Sequence, residues 1–280
     1  KIWLPMLIGS VLLLLLTLLF GESGANMETS NRSWLRIPII GMMIQPSEFV
    51  KFTFICTFSK HLFSVQERIN HPLTLLPLLG HALLIIGPIL LSGDLGVALI
   101  YVGILALMLF CAGLHPGYFG AAVLLLLLLA PFLWEHLAEY QQQRIIIGFR
   151  PELDPLGKGM QPLLSRQAIA AGGFFGVGLM TGGYYEILPA SHTDFIFSTV
   201  CEKFGFIGGF VVVATLVVMA FRLIWISRKC RDGVGKLICG GISAIIILQT
   251  LENLWMCVAA VPVIGITLPF VSYGGSSMLA

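Results

Sequence analysis

Long apolar runs broken by short polar stretches dominate the chain, and their lengths are those of membrane-crossing helices. A helix needs about 20 predominantly apolar residues to cross a hydrocarbon core. Seven runs approach that length: 2–20, 46–63, 73–91, 95–113, 118–134, 204–226 and 237–260. Inside lipid the backbone has no water to bond, so a crossing segment satisfies its own N–H and C=O groups as a helix or within a closed barrel. Barrel strands alternate apolar and polar residues. The unbroken run Leu124–Leu129 does not alternate, which selects helices. The pattern predicts an all-α, polytopic membrane helix bundle of about seven spans, forming one domain over 1–280.

Lys and Arg in short loops mark the cytoplasmic side of such a bundle. The connection 222–236 carries Arg222, Arg228, Lys229, Arg231 and Lys236, and the one around 60–71 carries Lys60 and Arg68. Four predicted spans lie between them. An even number returns the chain to the same side, so the two assignments agree. Segments 21–45, 135–203 and 261–280 are then extracytoplasmic. The connection 135–203 is far longer than the usual ~4–6 residues. It holds Ala168–Ala171, Phe174, Phe175 and six glycines between Gly172 and Gly183, so it is expected to be partly re-entrant, folded down onto the bundle.

Composition agrees with this picture. The chain is 57% hydrophobic and 11% charged, against about 25% charged in a soluble domain. A formal net charge of +2 is too small to suggest nucleic acid. The six cysteines are scattered with no CxxC pair, which argues against a zinc or disulfide framework. The chain runs from Lys1 straight into an apolar stretch and stops at Ala280 without a polar tail, as expected of a piece cut at both ends from a longer protein.

Against this background the polar residues near the spans need a reason, because charge in or at the rim of a membrane is costly. Glu48 and Lys51 open the second span on one helix face. At that spacing they form a local ion pair or line a cavity. Asp94, between two spans, either caps the following helix or contacts a cavity. Arg144, Arg150, Lys158 and Arg166 lie in the long outer segment. Cations there suit an anionic partner such as a phosphate, or form a solvated loop face.

His192-Thr193-Asp194-Phe195-Ile196-Phe197 leads toward the sixth span, with Glu202 beyond it. A carboxylate at that rim is partly desolvated, which raises its pKa toward the range of a general base. Two acidic groups in unlike environments are a common acid–base arrangement. His192 reads as a hydrogen-bonding neighbour. Pro269 to Ser277, containing Ser272, Tyr273, Gly274 and Gly275, reads as a tight turn or broken helix. Gln249, Glu252 and Asn253 on the last span suggest interhelical hydrogen bonds.

These elements recur in a specific order. They are Arg32-Ser33-Trp34-Leu35; Gln45-Pro46-Ser47-Glu48 with Lys51; Asp94-Leu95-Gly96; Tyr140-Gln141-Gln142-Gln143-Arg144; and Asp154-Pro155-x-Gly157-x-Gly159-x-Gln161. Then come Gly172-Gly173-x-x-Gly176-x-Gly178; Leu188-Pro189-x-x-His192-Thr193-Asp194-Phe195-Ile196-Phe197; and Leu268-Pro269-x-x-Ser272-Tyr273-Gly274-Gly275-Ser276. In this the chain resembles the SEDS family (shape, elongation, division and sporulation) of RodA, FtsW and SpoVE proteins. It departs from the pattern at Ser92-Gly93, Ala190 and Leu254-Trp255.

The resemblance implies a ten-helix fold, of which this chain would lack the first two helices and the last. It implies a peptidoglycan glycosyltransferase of the bacterial cytoplasmic membrane with its active site on the extracytoplasmic face. Such an enzyme polymerises lipid II, an undecaprenyl-pyrophosphate-linked disaccharide-pentapeptide, and works with a class B penicillin-binding protein. Asp194 takes the place of the family's catalytic Asp. Glu48, Lys51, Asp94, Arg144, Lys158, His192, Glu202, Ser272 and Tyr273 are the candidates for substrate or cavity contacts. A divalent cation (Mg2+ or Mn2+) could share the stabilisation of the pyrophosphate, but the sequence offers no ligand set for one. The rival readings are a lipid II flippase and a non-catalytic scaffold for the penicillin-binding protein.

Overall fold

A computed structural model describes residues 2–22, 32–36, 43–137, 139–181 and 183–273. Each predicted apolar run is a helix: α1 (Trp3–Phe20), α2 (Pro46–Ser64), α3 (Pro72–Leu91), α4 (Leu95–Cys111), α5 (Pro116–His136), α9 (Ile196–Lys229) and α10 (Gly233–Cys257). The connection between α5 and α9 is itself helical, with α6 (Glu139–Phe149), α7 (Met160–Gly172) and α8 (Tyr184–Ile187). A short antiparallel pair, β1 (Leu35–Arg36) and β2 (Met43–Ile44), precedes α2. The protein is an all-α, multi-pass membrane protein. Helices α1, α3, α9 and α10 are each long and apolar enough to cross a membrane. The rest of the set is less uniform, since α2 carries Glu48, Lys51 and Lys60, α4 has 17 residues and α5 is apolar as far as Phe132.

Helix starts follow local chemistry. Pro46 and Pro72 occupy the first positions of α2 and α3, where a missing N–H costs nothing and a fixed φ is already helical. Asp94 caps α4 by accepting from the Val97 amide at 3.1 Å.

The chain divides into two compact units. The first contains residues 1–116 and 219–248. Its core lies among α2, α3 and α4, where Phe54, Phe58, Leu78, Ile85, Tyr101 and Ile104 are buried and the Phe54 and Phe58 rings stack at 5.2 Å. The second contains residues 117–218 and 249–273. Its core is Leu188, Phe195, Met256 and Cys257, with Leu164, Ile169 and Val263 packed against them.

One feature of the second unit explains the glycine run. Helix α9 is broken at Gly205, whose φ of 67° belongs to a region that side-chain-bearing residues avoid. The break orphans backbone groups on either side, and buried backbone groups need partners. The loop after α7 supplies them: Val177 and Gly178 amides donate to the Glu202 and Lys203 carbonyls, and the Phe206 amide donates to the Gly173 carbonyl.

Candidate active site

The strongest sequence candidate, Asp194, lies in the turn that leads into α9. Ala190 adopts φ 57°, which costs a non-glycine residue about 1–2 kcal/mol. That conformation aims its carbonyl at the amides of both Thr193 and Phe195. Phe195 is fully buried in the core, so the turn is pinned immediately beside Asp194.

The chain returns to this turn after α10. Asn253, fully buried, donates from Nδ2 to the Asp194 and Ile266 carbonyls, both at 2.7 Å. It thereby ties the end of α10 to the start of α9 and to the following segment. Cys257, one helical turn on, points its Sγ at the same Asp194 carbonyl at 3.9 Å. Ser272, also buried, donates to the Thr193 carbonyl at 2.6 Å and accepts from the Leu268 amide at 2.7 Å. The Tyr273 amide donates to the His192 carbonyl at 2.8 Å. The backbone on both sides of Asp194 is therefore held by side chains and amides from residues 253–273.

The Asp194 carboxylate itself faces Gly265. A Cβ at Gly265 would lie 3.5 Å from Oδ2, and the φ of 79° there demands glycine in any case. Burial raises the Asp194 pKa to about 6, opposed in part by a hydrogen bond from the Thr193 side chain. Such a carboxyl is still ionised at neutral pH yet a far better proton acceptor than a solvated aspartate.

The other candidates separate by role. Arg144 on α6 donates to the Val263 carbonyl at 3.1 Å, so its guanidinium sits on the same segment that carries Gly265. Ser272 positions backbone, while the side chains of His192 and Tyr273 are exposed. Lys158 is exposed, and its amide donates to the Asp154 carboxylate at 2.9 Å. Glu202, fully buried, accepts from the Tyr184 and Tyr185 amides at 2.6 and 2.9 Å. It caps α8, a fixed structural task. The Gly274–Gly275 turn lies outside the described residues.

Glu48, Lys51 and Asp94 belong to the first unit. Lys51 Nζ and Glu48 Oε2 are 2.7 Å apart with both side chains nearly buried. Asp94, besides capping α4, accepts from Gln45 Nε2 at 3.1 Å. Burial raises its pKa, and its hydrogen bonds oppose the rise. Tyr101, fully buried, donates to the Ser47 carbonyl at 2.7 Å.

Sequence reasoning took Asn253 for an interhelical link and passed over Gly265. Asn253 instead clamps backbone carbonyls outside α10. Its sequence signal was its polar character on the last span; Gly265 gave none beyond its residue type. Among the described residues no cluster of three or more His, Cys, Asp or Glu is placed to hold a metal ion.

All 280 residues match the cell cycle protein family typified by FtsW, RodA and SpoVE. The probable peptidoglycan glycosyltransferase FtsW of Trichlorobacter lovleyi is 34% identical over 98% of this chain and 71% of its own. That of Bacillus subtilis is 34% identical over 98% and 69%. The peptidoglycan glycosyltransferase MrdB of Escherichia coli is 32% identical over 99% and 74%. Among solved structures, a chain of a peptidoglycan synthase complex that coordinates polymerization and crosslinking superposes with a TM-score of 0.83 at 29% identity, covering 99% of this chain and 76% of that one. The rod shape determining protein RodA of Thermus thermophilus shares the fold, with a TM-score of 0.66 at 24% identity over 99% and 73%.

Proposed function

As a member of the FtsW–RodA–SpoVE family of cell cycle proteins, this chain is a peptidoglycan glycosyltransferase, and we propose that Asp194 is its general base. The observation that carries the assignment is a carboxylate of raised proton affinity whose backbone is clamped by Asn253 and whose neighbour Thr193 is held by Ser272. General-base catalysis needs that combination of matched pKa and fixed position.

The substrate is lipid II, whose tail lies in the bilayer, whose pyrophosphate lies at the interface and whose sugars lie outside the cell. Asp194 takes the proton of the acceptor GlcNAc 4-hydroxyl as that oxygen bonds to the donor MurNAc anomeric carbon. The bond from that carbon to the pyrophosphate oxygen breaks, its electron pair leaves with undecaprenyl pyrophosphate, and the centre inverts. Asp194 then releases its proton to water.

Charge builds on the departing pyrophosphate, and a preorganised cation lowers its energy. Arg144 suits this role, because one N–H anchors it at Val263 while a guanidinium has five. Lys51 is committed to Glu48, which makes Arg144 the better candidate. The enzyme acts beside a partner that cross-links the strands, a class B penicillin-binding protein.

The test is lipid II polymerisation by the full-length protein with its penicillin-binding partner, transpeptidation blocked. Asp194→Asn should cut the rate by about 10²–10⁴-fold while folding and partner binding persist. Polymerisation at the wild-type rate by that variant would remove Asp194 as the base. Movement of lipid II across the bilayer without polymer from either protein would mark a transporter.

A further inference from the structure

Helix α10 carries a second carboxyl that the mechanism above leaves unused. Glu252 is only 8% exposed, and both its carboxyl oxygens are buried without a hydrogen-bond partner among the described residues. An ionised carboxylate so placed loses its hydration and gains nothing in return. Its position is informative. It precedes Asn253, the residue that clamps the Asp194 carbonyl. It also lies one turn before Met256, which packs in the same core cluster as Phe195. Four residues apart on α10, Glu252 and Met256 share a helix face, so Glu252 is directed to the surroundings of the catalytic turn.

Four other charged groups of this unit are engaged elsewhere. Glu202 caps α8, Lys203 donates to the Thr181 carbonyl and lies over the Tyr185 ring, Arg166 pairs with Glu152, and Arg144 bonds Val263.

We propose that Glu252 is a positioning residue for the base: a carboxyl that stays protonated while Asp194 is ionised, so that the pair carries a single negative charge and Asp194 holds it. This rests on Asp194 being the general base. Two interacting carboxyls lose their protons in two steps that belong to the pair. The first step arms Asp194. The second puts another negative charge beside a site that must accept an anionic pyrophosphate substrate, and it opposes the reaction. Glu252 thus limits the site on the alkaline side while Asp194 limits it on the acidic side.

The experiment is the pH profile of lipid II polymerisation by the full-length protein with its partner, for wild type, Glu252→Gln, Glu252→Asp and Asp194→Asn. Wild type should give a bell. Glu252→Gln, neutral at every pH, should stay within about threefold of wild type at neutral pH, keep the acidic limb and lose the alkaline fall. Glu252→Asp should restore the bell. Should Glu252→Gln fail to fold, Glu252→Met, equally uncharged, carries the same expectation. A Glu252→Gln profile that keeps the bell, at wild-type height or uniformly scaled down, overturns the inference and leaves Glu252 a packing residue, as does a wild-type profile with no alkaline fall. An Asp194→Asn enzyme that polymerises normally instead overturns the general-base reading, whatever Glu252 does.

Discussion

In the unit built on α1 to α4, these buried ionisable groups meet partners: Lys51 has Glu48, Asp94 has the Val97 amide and the Gln45 side chain, and Tyr101 has the Ser47 carbonyl. In the unit that holds Asp194, the backbone around the base is also tied, yet both Glu252 oxygens lack a partner among the described residues and burial lifts the Asp194 pKa. The first arrangement recovers the cost of desolvating charge through ion pairing and hydrogen bonds. The second leaves part of that cost standing, and a group held in such a state is ready to take a proton. Stability and reactivity are thus assigned to different carboxylates within one chain, and each assignment can be broken separately.

The largest effect on stability is expected in the first unit. Lys51→Met leaves Glu48 nearly buried without its cation. Removing one partner of a buried pair typically costs about 3–5 kcal/mol, whereas replacing both with apolar groups is near neutral. Thermal unfolding in detergent of Lys51→Met, Glu48→Leu and the double variant should show the double recovering most of the loss. Additive losses would mean that the pair is not coupled.

Next comes Asn253→Leu. It strips one donor group from two carbonyls, those of Asp194 and Ile266. Each buried acceptor left unmet costs about 1–3 kcal/mol, so a loss of about 2–4 kcal/mol is expected. Because the clamp fixes the base, kcat should fall further than stability alone explains. Polymerisation measured at a temperature where the variant is fully folded separates the two effects.

The opposite sign is expected at Asp194. Its pKa rises from 3.8 unfolded to about 6 folded, so the folded state holds the proton more tightly. Below about pH 4 the carboxyl is protonated in both states and carries no penalty. As pH climbs through 6 the folded state must ionise a desolvated group, and stability falls. Asp194→Asn should therefore unfold like wild type well below pH 4 and be about 3 kcal/mol more stable at pH 8. Equal stabilities at both pH values would mean that Asp194 is not desolvated.

How much of this was legible in the sequence follows the range of the interactions. Apolar runs gave the seven long helices because burial in lipid is decided within each segment. The Glu48–Lys51 pair and the Asp94 cap were readable because their partners lie three residues away. The clamp on Asp194 was not, since Asn253 and Ser272 reach it from 59 and 79 residues off and no local period marks such a contact. The partners of Glu202 were hidden for the same reason: its donors lie 18 and 17 residues earlier, in a helix of four residues too short to show a pattern. The break in α9 had a visible cause in Gly205, but its partner loop at 172–178 became meaningful only once the orphaned carbonyls were located.

The smallest expected effect lies at Asp94 and sharpens the comparison most closely, because Asp94 is also a buried carboxylate with a raised pKa. What distinguishes it from Asp194 is its work at the start of α4. Asp94→Ala removes the cap on Val97 and the acceptor for Gln45, and a lost helix cap costs about 1 kcal/mol. Asp94→Asn keeps an oxygen for Val97, and Gln45 can turn its amide to present an acceptor, so it should cost only a few tenths of a kcal/mol. Since the folded pKa of Asp94 is raised, ionising it burdens the native state as pH increases, and the Asn variant should gain on wild type from acid to neutral pH. Thermal unfolding of the three proteins across that range would show the order wild type, Asn, Ala at acid pH, with Asn overtaking wild type toward neutrality. An Asn variant as unstable as Ala at every pH would mean that the negative charge itself, acting on the N-terminal end of α4, does the capping.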